Sequence, residues 1–145
     1  MKNNLRAALK FFLLSLVTVV YLGFSSSAQK VHFKNSTVAP AAEGGVKIKK
    51  DKNGNYDIEV SIDNLADSKK LTPPKNAYVV WVDTKESGTK SIGQIHSSGS
   101  MFSKAKKASI TGVSTAKPTK VYITAEDDPN TGSPGDVVVL TTDSF

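Results

Sequence analysis

The 145-residue chain contains no cysteine. Its absence excludes disulfides, thiol catalysis and thiolate metal sites, and also a lipid-anchored lipoprotein, which needs a cysteine after its apolar leader. Arginine is almost missing as well: Arg6 stands alone, and every other basic side chain apart from two histidines is lysine. Proteins that read nucleic acid favour the two-pronged guanidinium, often interleaved with aromatics on one face, so nucleic acid is not an expected partner. The two histidines are His32 and His96. No serine lies in a nucleophile-elbow sequence, and both histidines read as surface residues, so the chain is not expected to be an enzyme or to carry a cofactor. Long segments of helical period are also lacking; only Met101 to Lys107 has room for a helical turn.

What is present begins with an export signal. Met1 to Lys10 carries Lys2, Arg6 and Lys10 without an acid, Phe11 to Phe24 is uncharged and mostly apolar, and Ser26 and Ala28 stand at −3 and −1 before Gln29. These are the three parts of a cleavable secretory leader. The apolar run of 14 residues is shorter than the ~20 needed to cross a bilayer, so cleavage between Ala28 and Gln29 is expected rather than a stable span. An exported protein of the periplasm or the extracellular space follows. The remaining 117 residues suit one domain, and they hold 16 lysines against 13 acids, a net charge of +3 spread over the sequence as a solvated surface.

In that mature part the dominant pattern is alternation. Residues 29–36 mix apolar and polar side chains and read as a leader or a short first strand, and Val38 to Ala42, with Pro40, as an edge strand. Val46 to Lys49 and Tyr56 to Ile62 alternate strictly, and Asn53-Gly54 between them signals a hairpin with a type I′ turn. Leu65 and Leu71 are expected to plug the core from a crossing segment that Pro73 and Pro74 keep non-helical. Ala77 to Val82 is a continuous apolar run, as for a central strand buried on both faces, and it should pair with Ser91 to His96. Further strands are expected at 108–113, 121–125 and 137–142. The class is all-β: an antiparallel, immunoglobulin-like β-sandwich of seven or eight strands occupying residues 37–145.

The blocks Tyr78 to Val82, Ile92 to Ile95, Val121 to Pro134 and Val137 to Leu140, in that order, resemble the extracytoplasmic C-terminal domain of anti-sigma-K factors. In that family a Tyr-x-x-Trp strand precedes a Gly-containing strand, then a strand ending in Glu, a Gly/Ser/Pro-rich turn and a Val-Val-Leu strand. The resemblance spans Leu71 to Thr142 and implies an outer, non-enzymatic sensory domain. It does not imply anti-sigma activity, because only ten residues precede the apolar segment, where the family carries its sigma-binding module.

Candidate sites are few. Tyr78, Trp81 and Tyr122 are expected as core anchors on strands. Asp51, Asn53 and Asp57 place oxygens at alternate positions as calcium loops do, but the glycine is fourth rather than sixth and no acid closes the loop at the twelfth place, so the hairpin turn explains them without a metal. Glu126 and Asp128 are the other calcium candidates; Glu126, Asp127 and Asp128 also offer carboxylates for acid–base chemistry, but adjacent acids at a strand's end point in different directions, so solvation rather than catalysis is expected of them. Met101 and Phe102, apolar within a Ser/Gly-rich loop, are the expected partner contacts. The functional expectation is a non-catalytic interaction or sensory module of a bacterial cell envelope that binds a protein or envelope component. A calcium- or carbohydrate-binding adhesion-type module is the alternative.

Overall fold

The computed structural model describes residues 27–97 and 106–145 and folds them into two antiparallel sheets of four strands each. The strands are β1 (Gln29–His32), β2 (Glu43–Lys50), β3 (Tyr56–Asp63), β4 (Ala77–Thr84), β5 (Gly88–Ile95), β6 (Lys107–Ser114), β7 (Pro118–Glu126) and β8 (Val138–Thr141). One sheet has the order β1-β2-β3-β6 and the other β5-β4-β7-β8. The all-β, two-sheet class expected from the sequence is therefore present, with eight strands.

Strict alternation is what makes the first sheet one-sided. Ile58, Val60 and Ile62 are all 0% exposed, and between them Asp57, Glu59 and Ser61 face water. Across the ladder Glu59 lies opposite Lys47, their charged ends 3.6 Å apart. From the second sheet Tyr78, Val80 and Val82 of β4 and Val121, Ile123 and Ala125 of β7 complete the core, with Leu65 and Leu71 inserted from the crossing segment as expected. Each fully buried aliphatic side chain here stabilises the fold by about 1.5–3 kcal/mol.

Two local expectations are corrected. Residues 38–42 form a turn, not an edge strand: the Ser36 hydroxyl accepts from the Ala39 amide at 2.9 Å and donates to the Val139 carbonyl, and the Ala42 amide donates to the Ala39 carbonyl at 2.9 Å. A serine two residues before an apolar pair gives the backbone this alternative to a ladder. The β2–β3 hairpin forms in full register, but positive φ falls on Gly54 alone (+88°), not on Asn53. The five-residue loop is organised by Asp51, whose Oδ1 accepts from the amides of Asn53 and Asn55, both at 2.8 Å.

Trp81 is the larger surprise. It is 1% exposed, yet it alternates with Tyr78, Val80 and Val82 and so points away from the inter-sheet core, on the same side as Val79, Tyr122, Thr124 and Glu126. Of the three expected anchors, only Tyr78 packs between the sheets. Tyr122 is half-buried on the outer side, with Lys120 Nζ 5.4 Å from its ring centre. The expectation that β4 is buried on both faces holds.

Candidate functional site

The polarity of the two sheets is set by the shortest link between them. Only three residues, 115–117, join β6 to β7, so Ser114 and Pro118 lie at one end, together with the β2–β3 and β4–β5 turns. At the opposite end the described long connections, 33–42, 64–76 and 127–137, gather, and β5 ends and β6 begins there. Both described termini lie toward the tight-turn end. Gln29 pairs with Ile48 near the end of β2, and the Phe145 amide donates to the Thr119 carbonyl at 2.9 Å. A rigid two-sheet body thus presents its long loops together, away from the termini.

Those loops are pinned by acids. Glu126, 7% exposed, accepts from the Gly135 amide at 2.8 Å and from the Thr124 hydroxyl, and Thr124 in turn accepts from Trp81 Nε1–H at 2.7 Å. A Cβ at Gly135 would stand 2.6 Å from Glu126 Oε2 and would push that carboxylate out of place. Asp127 takes Lys75 Nζ at 2.7 Å, and its carbonyl accepts from Asn76 Nδ2 at 2.8 Å, which ties the 64–76 segment to the 127–137 loop. Asp128 accepts from the Asn130 amide at 2.9 Å. The three consecutive acids therefore do three separate structural jobs. Among the described residues, no three His, Asp or Glu side chains converge as a metal site. Asp51 is occupied by turn amides, with Asp57 exposed on β3.

Two depressions open at the loop-rich end. One is a mainly apolar groove of ≈ 520 Å³ between the 37–41 turn, Leu71 to Pro73 and Val137. The other is a polar cleft of ≈ 260 Å³ walled by Asp67, Ser68, Asn76, Tyr78, His96 and Ser97. Asp67 caps the short 3₁₀ turn Ser68–Lys70, its Oδ1 accepting from the Lys69 amide at 3.0 Å. Tyr78, 2% exposed, has a hydroxyl without a hydrogen-bond partner. Burial, and secondarily the charge of Asp67, pushes this phenol up to about 12. The Tyr122 hydroxyl is also raised, chiefly by burial, with the Thr89 hydrogen bond opposing and Asp83 adding.

Sequence reasoning did not single out Asp67, Asn76 or the cleft. Its available signals were an Asp before a short Ser-Lys-Lys turn and a tyrosine opening an apolar strand. Met101 and Phe102 lie outside the described residues. Ala28 is half-buried and directly precedes β1, which begins at Gln29. His32 is exposed on β1 and His96 is exposed just after β5. The chain matches no known family model, no curated protein and no solved structure.

Proposed function

We propose that this protein is an exported, non-catalytic β-sandwich of a bacterial cell envelope that recognises an envelope component or another protein through its loop-rich end. The observation that carries the reading is the segregation of the fold: the three described long connections at one end, tight turns and both described termini toward the other. Export is supported at the N-terminal boundary. β1 starts at Gln29, so a cut after Ala28 takes nothing from either sheet.

The strand order supports an immunoglobulin-like arrangement. β3 and β6 are neighbours in one sheet, each crosses to the other sheet, and the strands they reach, β4 and β7, are again neighbours. That interlocked pair of crossings is the Greek-key centre of such sandwiches, and β1 is an addition to it. The resemblance to the anti-sigma-K outer domain also gains a physical sense. Its blocks fall on β4, β5, β7 and β8, which together make one sheet, and its Trp, Thr-x-Glu and Ser-Pro-Gly features meet in the Trp81–Thr124–Glu126–Gly135 chain of hydrogen bonds.

The test is the mature protein in its own cell. Mass spectrometry of the exported form is expected to find Gln29 as the first residue, and crosslinked pull-down from the envelope is expected to retain a component that charge-reversing changes at Lys69 and Lys70 release. A cytoplasmic protein beginning at Met1 would remove the export reading. A capture unaffected by any change in the 64–76 or 127–137 loops would remove the assignment to that end.

A further inference from the structure

A charge that is scattered along the sequence is sorted by the fold. Each of the three tight links at the turn end carries one exposed lysine: Lys52 between β2 and β3, Lys85 between β4 and β5, and Lys117 between β6 and β7. Lys49, Lys50, Lys90 and Lys120 stand within three residues of those links on the flanking strands. Four acids share that zone, Asp51, Asp57, Asp83 and Glu86, so its side chains carry a net +3. Asp143 lies nearby, but Lys34 Nζ stands 2.5 Å from its carboxylate and cancels it. The loop-rich end has the opposite sign. Glu43, Asp63, Asp67 and the four acids between 126 and 136 stand against five described lysines, Lys69, Lys70, Lys75, Lys106 and Lys107. The sandwich is thus a dipole along its strands, positive at the turns.

The positive end is built to meet anions from outside. Among the described residues no carboxylate is ion-paired with Lys52, Lys85 or Lys117, whereas Lys47, Lys75 and Lys107 each have an acidic partner. Val113, at 61% the most exposed large apolar side chain among the described residues, stands on the outer face of the same end, in one row with Asp57 and Lys49. Lysines around an exposed apolar side chain suit an interface of anionic headgroups over acyl chains. Export also brings this end to the bilayer. Gln29, which opens β1 beside Ile48, follows the apolar run Phe11 to Phe24 by five residue steps, a reach of at most about 18 Å.

We propose that the turn end docks on the anionic lipid surface of the membrane the protein crosses, with Lys52, Lys85 and Lys117 among the headgroups, Val113 beside them and the loop-rich end turned outward. The inference goes beyond recognition at the loop end and rests only on the export part of the functional reading. A lysine near an anionic surface raises partition about fivefold, so the three tips together give about a hundredfold, and the attraction fades beyond ~10 Å at ~0.1 M salt. Such docking is weak, reversible and made to lipid alone, so it orients the domain without occupying its loops.

The experiment is co-sedimentation of the chain from Gln29 onward, which holds both sheets whole, with phosphatidylglycerol vesicles and, separately, with phosphatidylcholine vesicles. At low salt the protein is expected on the first and not on the second, and ~1 M salt, where screening acts within ~3 Å, should release it. Reversing the three tips together, Lys52→Glu, Lys85→Glu and Lys117→Glu, should abolish the binding. Lys69→Glu, Lys70→Glu and Lys106→Glu change the net charge equally at the other end and should leave most of it. Trp81, 1% exposed, reports by unchanged emission that the sheets of each variant are intact. Absence of binding to phosphatidylglycerol at low salt would overturn the proposal, as would equal binding to phosphatidylcholine or a loop-end variant that loses as much as the tip variant. None of these outcomes touches the pull-down result, so the lipid docking can fail while the recognition end stands.

Discussion

Replacing Tyr78 with phenylalanine should make the protein more stable, which is unusual for a residue 2% exposed in the core. An unpaired buried hydroxyl costs about 1–3 kcal/mol, and removing one oxygen leaves a void worth only a few tenths of a kcal/mol, taking ~24 cal/mol per Å³. The net gain is about 1–2 kcal/mol. With a urea slope of roughly 1.5 kcal/mol per M for a domain of this size, the unfolding midpoint should rise by about 1 M. The single tryptophan, Trp81, is 1% exposed and reports the transition by fluorescence. A second readout is alkaline pH. The folded pKa of about 12 lies above the ordinary 10.0, so between those values the unfolded chain has lost a proton that the folded chain keeps. Stability should then be level up to about pH 10 and fall from there toward pH 12, and Tyr78→Phe should flatten that fall, leaving the smaller part due to Tyr122. A Phe variant less stable by about 1 kcal/mol or more at pH 7 would refute the reasoning, because it would mean the hydroxyl has a good partner in solution.

Other outcomes follow from the same contacts. Ile58→Ala, at a position 0% exposed, should cost about 2–5 kcal/mol in urea unfolding, whereas Val113→Ala, 61% exposed, should stay within about 0.5 kcal/mol. Glu126→Ala leaves the Thr124 hydroxyl proton and the Gly135 amide without an acceptor and should destabilise by about 2–3 kcal/mol, with faster amide exchange through 127–137. Gly135→Ala should loosen the same loop by a different route, since its Cβ would press on Glu126. Calcium addition and chelation should leave the melting temperature unchanged, because Asp51 and Glu126 are already bound to backbone amides; a rise of several degrees with calcium would restore the metal reading.

Much of the architecture could be read from period-two alternation, because β3 and β4 decide their own faces: one strand is half-polar, the other apolar throughout. The same alternation misassigned Trp81. In a strand with no polar residue before Asp83 the sequence does not mark which side meets the other sheet, and size alone favoured the tryptophan as anchor. The turn at 38–42 was missed because Ser36 competes for the backbone from outside the apolar stretch. The cleft was illegible for a related reason: Asp67, Asn76, Tyr78 and His96 come from three separate segments, His96 reaching Tyr78 through the β4–β5 pairing at Ile95 and Asp67 reaching Asn76 through the bond from the Lys75 amide to the Ser68 carbonyl.

The central claim is that recognition belongs to the loop-rich end, and position-resolved photo-crosslinking in living cells tests it most directly. A photoreactive residue placed in turn at exposed positions of the loop end, Thr72 and Ser133, and of the turn end, Lys52 and Lys117, samples both poles of the sandwich. The account predicts a crosslinked adduct from Thr72 and Ser133 and none from Lys52 or Lys117. Adducts arising from the turn end alone would contradict it.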